Sequence, residues 1–197
     1  HADGLKLKII STFQNVEIFS NIFPYMEYRF VGRQRELEYL EGLYRRPGLN
    51  TCAVFGRRQT GKSTLLMEFA KDKRAVYLQF SKGSYYENLT RMRFDIGGFL
   101  GTEPPETDSF SEILLMLRDM CRQEKTLVIF DELPYLMDGA PFVPSIIQRF
   151  IDLDVKGLDC MVVICGSSVG MMRDTVENVR NPLYGRFMDR LEVGELG

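Results

Sequence analysis

Gly56, Gly61, Lys62 and Ser63 stand in the run GRRQTGKS at the spacing G-x-x-x-x-G-K-S. Bare backbone, one cation and one hydroxyl in that order suit a polyphosphate. Glycines let a loop curl until successive N–H groups converge on phosphate oxygens, and a helix starting at the lysine adds about half a positive charge at its amino end. Lys62 is then expected to reach the β and γ phosphates and Ser63 to offer an oxygen to Mg2+. Arg57, Arg58, Gln59, Thr60 and Thr64 complete the loop and its exit and are assigned to the same phosphate site.

A bound phosphate does not show what is done with it. The run TLVIFDELPYL ends an apolar stretch in two adjacent acids, Asp131 and Glu132. Ionised acids are costly to bury alone, so a pair at a strand's carboxyl end implies a cation and water nearby. Asp131 is expected to act through Mg2+ by way of its coordinated water. Side chains alternate along a strand, so Glu132 points elsewhere, where it can orient the water attacking a γ phosphate and accept its proton. A water-positioning glutamate favours hydrolysis over transfer to a substrate hydroxyl. In VICGSSVGMM, Ser167 or Ser168 is placed to hydrogen-bond the γ phosphate or the water, and a serine there serves equally as a helix cap or turn residue. Arg186 and Arg190, near the end, are candidates to meet transition-state charge, in cis or on a neighbouring subunit; surface ion pairing is the alternative.

These residues need a scaffold that brings strand ends together. The runs Cys52 to Phe55, Ala75 to Phe80, Leu127 to Phe130 and Met161 to Cys165 are short and nearly all apolar, as strands covered on both faces are. Helical spacing appears in Leu37, Leu40 and Leu43, in Leu65, Leu66, Phe69 and Ala70, and in Phe110, Ile113, Leu114 and Leu117. Ser109 with Glu112 reads as a capping box. A further helix is expected from about Pro144, with Ile146, Ile147, Phe150 and Ile151 inward and irregular chain before it. Alternating strands and helices predict an α/β domain, a parallel sheet with helices on both faces and ligands at the carboxyl ends of the strands.

Composition agrees with one such domain. The chain has 197 residues, 45% of them hydrophobic, with a formal charge of −2 that supplies no general field for nucleic acid. The basic clusters RRPG, GRR, KDKR and RMR read as solvated faces and loop flanks, so no DNA binding is expected of this stretch. Four cysteines lack zinc spacing, and Cys52 and Cys165 fall in apolar runs as small hydrophobes. No run has the length of a membrane span or the pattern of a secretory signal, which predicts a cytoplasmic protein with no membrane partner.

With FVGRQREL, GRRQTGKST, LVIFDELPYL, ICGSSVGMM and PLYGR in this order, the chain resembles the archaeal-type ATPases, of the STAND branch near the AAA+ proteins, over about residues 28–197. The resemblance implies a P-loop NTPase fold with a parallel sheet of five strands in the order 5-1-4-3-2. It places Phe30, Val31 and Gly32 in an adenine pocket and so implies ATP, with Mg2+, as the ligand. GRF followed by a second arginine looks like the finger region of AAA+ rings, with Met188 as an insertion, which leaves open whether Arg186, the residue assigned to the catalytic set, Arg190 or neither is the finger. Residues 1–25 read as an N-terminal extension or cloning remnant and residues 26–197 as an ATPase core without the helical lid of AAA+ relatives, so activity from this stretch alone is expected to be slow. The implied role is ATP hydrolysis driving a conformational switch or remodelling in a larger protein, with a homo-oligomer or regulatory protein as partner. The alternatives are a nucleotide-gated signalling module with negligible turnover and the ATPase part of a DNA-processing protein.

Overall fold

The computed structural model describes residues 32–196. Five strands carry the architecture: β1 (Leu49–Phe55), β2 (Ala75–Gln79), β3 (Thr126–Asp131), β4 (Cys160–Gly166) and β5 (Asp189–Glu192). They lie in the order β2-β3-β4-β1-β5 with every neighbouring pair parallel, the expected 5-1-4-3-2 order. Each chain reversal therefore needs a crossover, and helices supply it.

Strand alternation divides the core. Cys52, Val54, Tyr77, Leu127, Ile129, Met161, Val163 and Cys165 face α1 (Gln34–Arg45) and α2 (Lys62–Ala70), which bury Leu40, Leu43, Leu65, Leu66 and Phe69 against them. The intervening residues, such as Ala53, Val76, Phe130 and Ile164, face α3 (Tyr85–Leu100), α4 (Phe110–Gln123), α5 (Leu133–Asp138), α6 (Val143–Arg149) and α7 (Val169–Glu177). Because Asp131 follows Ile129 by two, the same alternation turns its carboxylate toward α2 and Ser63. Cys52 and Cys165 are fully buried in the first layer; burial pushes the Cys52 thiol up to about 12 and Cys165 well above its usual range, so neither is a ready thiolate.

Several local expectations need correction. At Ser109 only half of the capping box forms: its hydroxyl accepts the Glu112 N–H at 3.3 Å, while the Glu112 carboxylate turns to the Thr107 hydroxyl. Thr107 Oγ1 also takes the Ser109 N–H, at 3.0 Å. The complete box is at Ser84 and Glu87, opening α3, a helix that the apolar pattern hides because Leu89, Met92 and Ile96 are interrupted by charges and glycines. The helix near Pro144 runs from Val143 and ends in a π-helical turn over Phe150–Asp154, which still buries Phe150 and Ile151.

Asp95, on α3, is 6% exposed, and its Oδ2 has no hydrogen-bond partner. Burial raises its pKa to about 7 from the ordinary 3.8, against the pull of Arg91. The folded state therefore binds this proton more tightly than the unfolded chain, so stability falls as pH rises from about 4 through 7 and is flat above. Each unit of pKa corresponds to about 1.4 kcal/mol. Asp95→Asn is expected to remove that slope and to unfold at higher denaturant concentration than the parent at pH 8, with little difference at pH 4, as denaturation curves at the two pH values check.

Candidate active site

The phosphate loop runs from the end of β1 to the start of α2. Gly56 is demanded by a close approach: a Cβ there would stand 2.2 Å from the Val193 carbonyl oxygen, just beyond β5. Gly61, in the left-handed region at φ 83°, caps α2, and Gln59 joins it at φ 63°, an unusual conformation for a residue with a side chain. For Gln59, though not for Gly61, such backbone costs about 1–3 kcal/mol, and it recurs at ligand-clamping loops. Lys62 is buried, with its ammonium on the Arg57 carbonyl at 2.7 Å and Thr60 Oγ1 at 3.5 Å, so the loop already encloses a cation.

Beyond the loop lies a cavity of about 460 Å³ whose walls include Arg58, Gln59, Gly61, Lys62, Ser63, Thr64, Glu132 and Ser167. Ser63 Oγ donates to Asp131 Oδ2 at 2.7 Å, and the buried Tyr77 hydroxyl donates to the same oxygen. Burial, reinforced by the Asp131 charge, pushes the Tyr77 hydroxyl well above its usual value, which keeps it a donor. Asp131 Oδ1 is buried with no partner, a cost that a cation or its water would relieve. A hydroxyl and one free carboxylate oxygen are hard ligands. Among the described residues no group of three or more His, Cys, Asp or Glu side chains could hold a metal. The residues present thus fit Mg2+, which takes most of its ligands from phosphate and water.

Glu132 leaves the strand at φ 57°, in the left-handed region, which swings its carboxylate away from Asp131. It accepts from the Ser167 backbone N–H at 3.2 Å and from the Ser167 hydroxyl. The two serines thereby separate: Ser167 faces Glu132 in the cavity, whereas Ser168 caps α7, accepting the Met171 N–H at 3.4 Å. The arginines divide as well. Arg186 makes two contacts to Asp152, at 3.3 and 3.0 Å, and sits before β5, near the amino ends of the strands and at the opposite end of the sheet from the loop. Arg190 pairs with Glu177 at 3.0 Å. Neither joins the cavity within one chain. Phe30 and Val31 lie outside the described residues; Gly32 is described, at φ 95°.

A family profile described as "ATPase domain predominantly from Archaea" matches residues 30–194. The chain belongs to this family. An uncharacterized protein of Methanocaldococcus jannaschii is 25% identical over 167 residues, covering 85% of this chain and 36% of its own length. Among solved structures, a Walker-type ATPase of Pyrococcus abyssi superposes with TM-score 0.64 at 22% identity, over 82% of this chain and 53% of that one. Cdc6p from Pyrobaculum aerophilum gives TM-score 0.59 at 19% identity, over 88% and 48%. The chain therefore spans about a third to a half of the relatives it matches. At these identities the structures establish the shared P-loop fold.

In this archaeal-type ATPase domain two residues matter that sequence reasoning passed over, Tyr135 and Tyr77, and a third, Arg33, which the FVGR resemblance put beside the adenine pocket, has a bonding role that reasoning did not give it. Arg33, buried, donates to the Thr60 carbonyl at 2.9 Å, to the Gly194 carbonyl and to Glu36 at 2.9 Å, tying the loop to the chain beyond β5. Tyr135 on α5 receives Arg58 at 2.6 Å across the cavity rim. Tyr77 holds Asp131. A polar-capable aromatic inside an apolar run was the available signal for Tyr77; long-range pairs such as Arg33 with Thr60 have none.

Proposed function

We propose that this domain binds ATP with Mg2+ and hydrolyses it, as the nucleotide-driven core of a larger protein whose shape it switches or remodels. The observation that carries the reading is the convergence on one cavity of Lys62, of Ser63, which donates to the buried Asp131 at 2.7 Å, and of Glu132. Lys62 and the loop N–H groups hold the β and γ phosphates. Glu132 accepts a hydrogen bond from a water, takes its proton as the water's oxygen bonds the γ phosphorus, and the bond from that phosphorus to the ADP oxygen breaks, leaving ADP and phosphate. Ser167 holds Glu132 for that step. Mg2+ supplies neutralisation of charge on the phosphate oxygens when bound. A neighbouring subunit's arginine meeting the developing charge belongs to the same proposal, with Arg186 as candidate.

One observation favours a second reading, a nucleotide-gated module with slow turnover: Ser167 occupies both carboxylate oxygens of Glu132, which parks the base. Equilibrium binding of ATP and phosphate release, measured with and without Mg2+, separate the two. Binding with Mg2+-dependent release is expected, binding without release selects the gated module, and absence of binding removes both.

A further inference from the structure

We propose that Arg58, within the same chain, supplies positive charge to the γ phosphate as it passes to water, and that the Tyr135 hydroxyl holds the guanidinium in the resting site. The inference rests on the ATP-hydrolysis reading above and adds a residue to it. Two arginines follow Gly56, and the loop sends them to different sides. Arg57 lines a recess beside β5 and α7, with Arg173 and Glu192. Arg58 lines the phosphate cavity, with Lys62, Ser63, Glu132 and Ser167. It also lines an adjoining recess of about 260 Å³, which shares Glu132, Tyr135 and Ser167 with that cavity and reaches Pro134 on α5 and Met171 on α7. Arg58 is the one cation among the described residues that line this recess.

The chemistry needs a cation on that side. In the transition state of phosphoryl transfer, negative charge is spread over the three equatorial oxygens of the γ phosphoryl group. Lys62 meets that charge from the loop, whereas the attacking water enters beside Glu132, which brings a negative charge of its own. A donor already standing there stabilises the transition state without reorganisation. The guanidinium is available for the task. Arg58 is exposed, and its Nη2 donates to the Tyr135 hydroxyl at 2.6 Å. Among the described residues it forms no ion pair, unlike Arg186 with Asp152 and Arg190 with Glu177. Hydrogen bonds between ionised groups are about twice as strong as neutral ones, so a phosphate oxygen displaces a phenol more readily than it would a carboxylate. An arginine that merely braced the loop against α5 would act through the Tyr135 bond alone.

The test measures ADP binding to the unaltered chain and to Arg58→Ala, with Mg2+ present, with and without aluminium fluoride, a mimic of the phosphoryl group in transfer. Equilibrium ATP binding and single-turnover phosphate release are followed beside it. Aluminium fluoride is expected to tighten ADP binding in the unaltered chain. In Arg58→Ala that tightening and the release rate fall together, on the order of 10²–10³-fold, the cost of one donor aimed at transition-state charge, while ATP affinity falls far less. Arg58→Lys, a point charge in place of a planar fork, lies between the two. Tyr135→Phe removes only the resting partner and retains the tightening; a loss equal to that of Arg58→Ala would make Arg58 a brace and overturn the proposal. Mixing Arg58→Ala chains with Lys62→Ala chains, which keep their Arg58, recovers no release; recovery would carry the guanidinium across a subunit boundary and overturn the role within one chain. Normal ATP binding with tightening that survives in Arg58→Ala overturns the role of Arg58 alone. Failure of the unaltered chain to bind ATP overturns the ATP-site reading and this role with it.

Discussion

Glu132→Gln is expected to bind ATP as tightly as the parent and to release phosphate about 10²–10⁴-fold more slowly, the range that loss of a general base commands. The substitution is close to isosteric. Its carbonyl oxygen can still accept from the Ser167 N–H, now at 3.2 Å to the carboxylate, and its amide can donate to the Ser167 hydroxyl, so the αL turn and the cavity wall are retained. What disappears is the ability to take a proton. Lys62 and Ser63 are untouched, which is why affinity should hold. Single-turnover phosphate release beside equilibrium binding reads the two effects apart. Equal, nonzero rates in the two proteins would show that the attacking water is activated by something other than Glu132.

The strained backbone at Glu132 belongs to the same argument. A side chain at φ 57° is uncommon outside glycine, asparagine and aspartate, and the turn gives Glu132 a direction that continuing the strand would not. Continued alternation would aim it at the layer of Phe130's other neighbours; the turn instead brings it to Ser167 at the end of β4. Two adjacent acids thereby part: Glu132 lines the cavity, and Asp131 lies buried behind Ser63. Asp131 is locked by Ser63 and Tyr77, and Glu132 is steered by Ser167.

How far sequence reaches into this structure depends on the range of the interaction. Strands β1 to β4 were legible because each carries a run apolar on both faces, unlike the polar, half-exposed β5, and the phosphate loop because its glycines, lysine and serine stand in one short run. Strand order came through resemblance, since no local pattern says that β1 lies between β4 and β5. α3 stayed hidden because its apolar stripe is narrow and broken by Arg91, Arg93 and Asp95, although Ser84 and Glu87 spelled its start. Ser167 and Ser168 looked equivalent, and only the path of α7 makes one a cap and the other a partner of Glu132. For Arg186, a residue suggested by motif position, the decisive fact is its pairing with Asp152 in the π-helical turn, a contact across 34 positions of sequence. Contacts of that reach follow from topology, and topology is what a local pattern lacks.

Lys62→Ala is expected to weaken ATP binding on the order of 10–100-fold, from loss of about 1.5–3 kcal/mol for a charge-assisted hydrogen bond. The decisive feature is burial. Lys62 is 4% exposed, with its ammonium held at 2.7 Å from the Arg57 carbonyl inside its own loop, so the charge is positioned before any phosphate arrives and little side-chain entropy is lost on binding. A lysine that reaches the β and γ phosphates must also discriminate by phosphate number. The loss should therefore be greatest for ATP, smaller for ADP and negligible for AMP, whereas a general loosening of the loop would weaken all three alike. Calorimetric titration with the three nucleotides, alongside Lys62→Arg to test whether charge without the right reach suffices, distinguishes these outcomes. Undiminished ATP affinity in the alanine variant would mean that the loop's N–H groups carry the polyphosphate unaided, and the cation inside the loop would then be a structural tie to the Arg57 carbonyl rather than a ligand-binding charge.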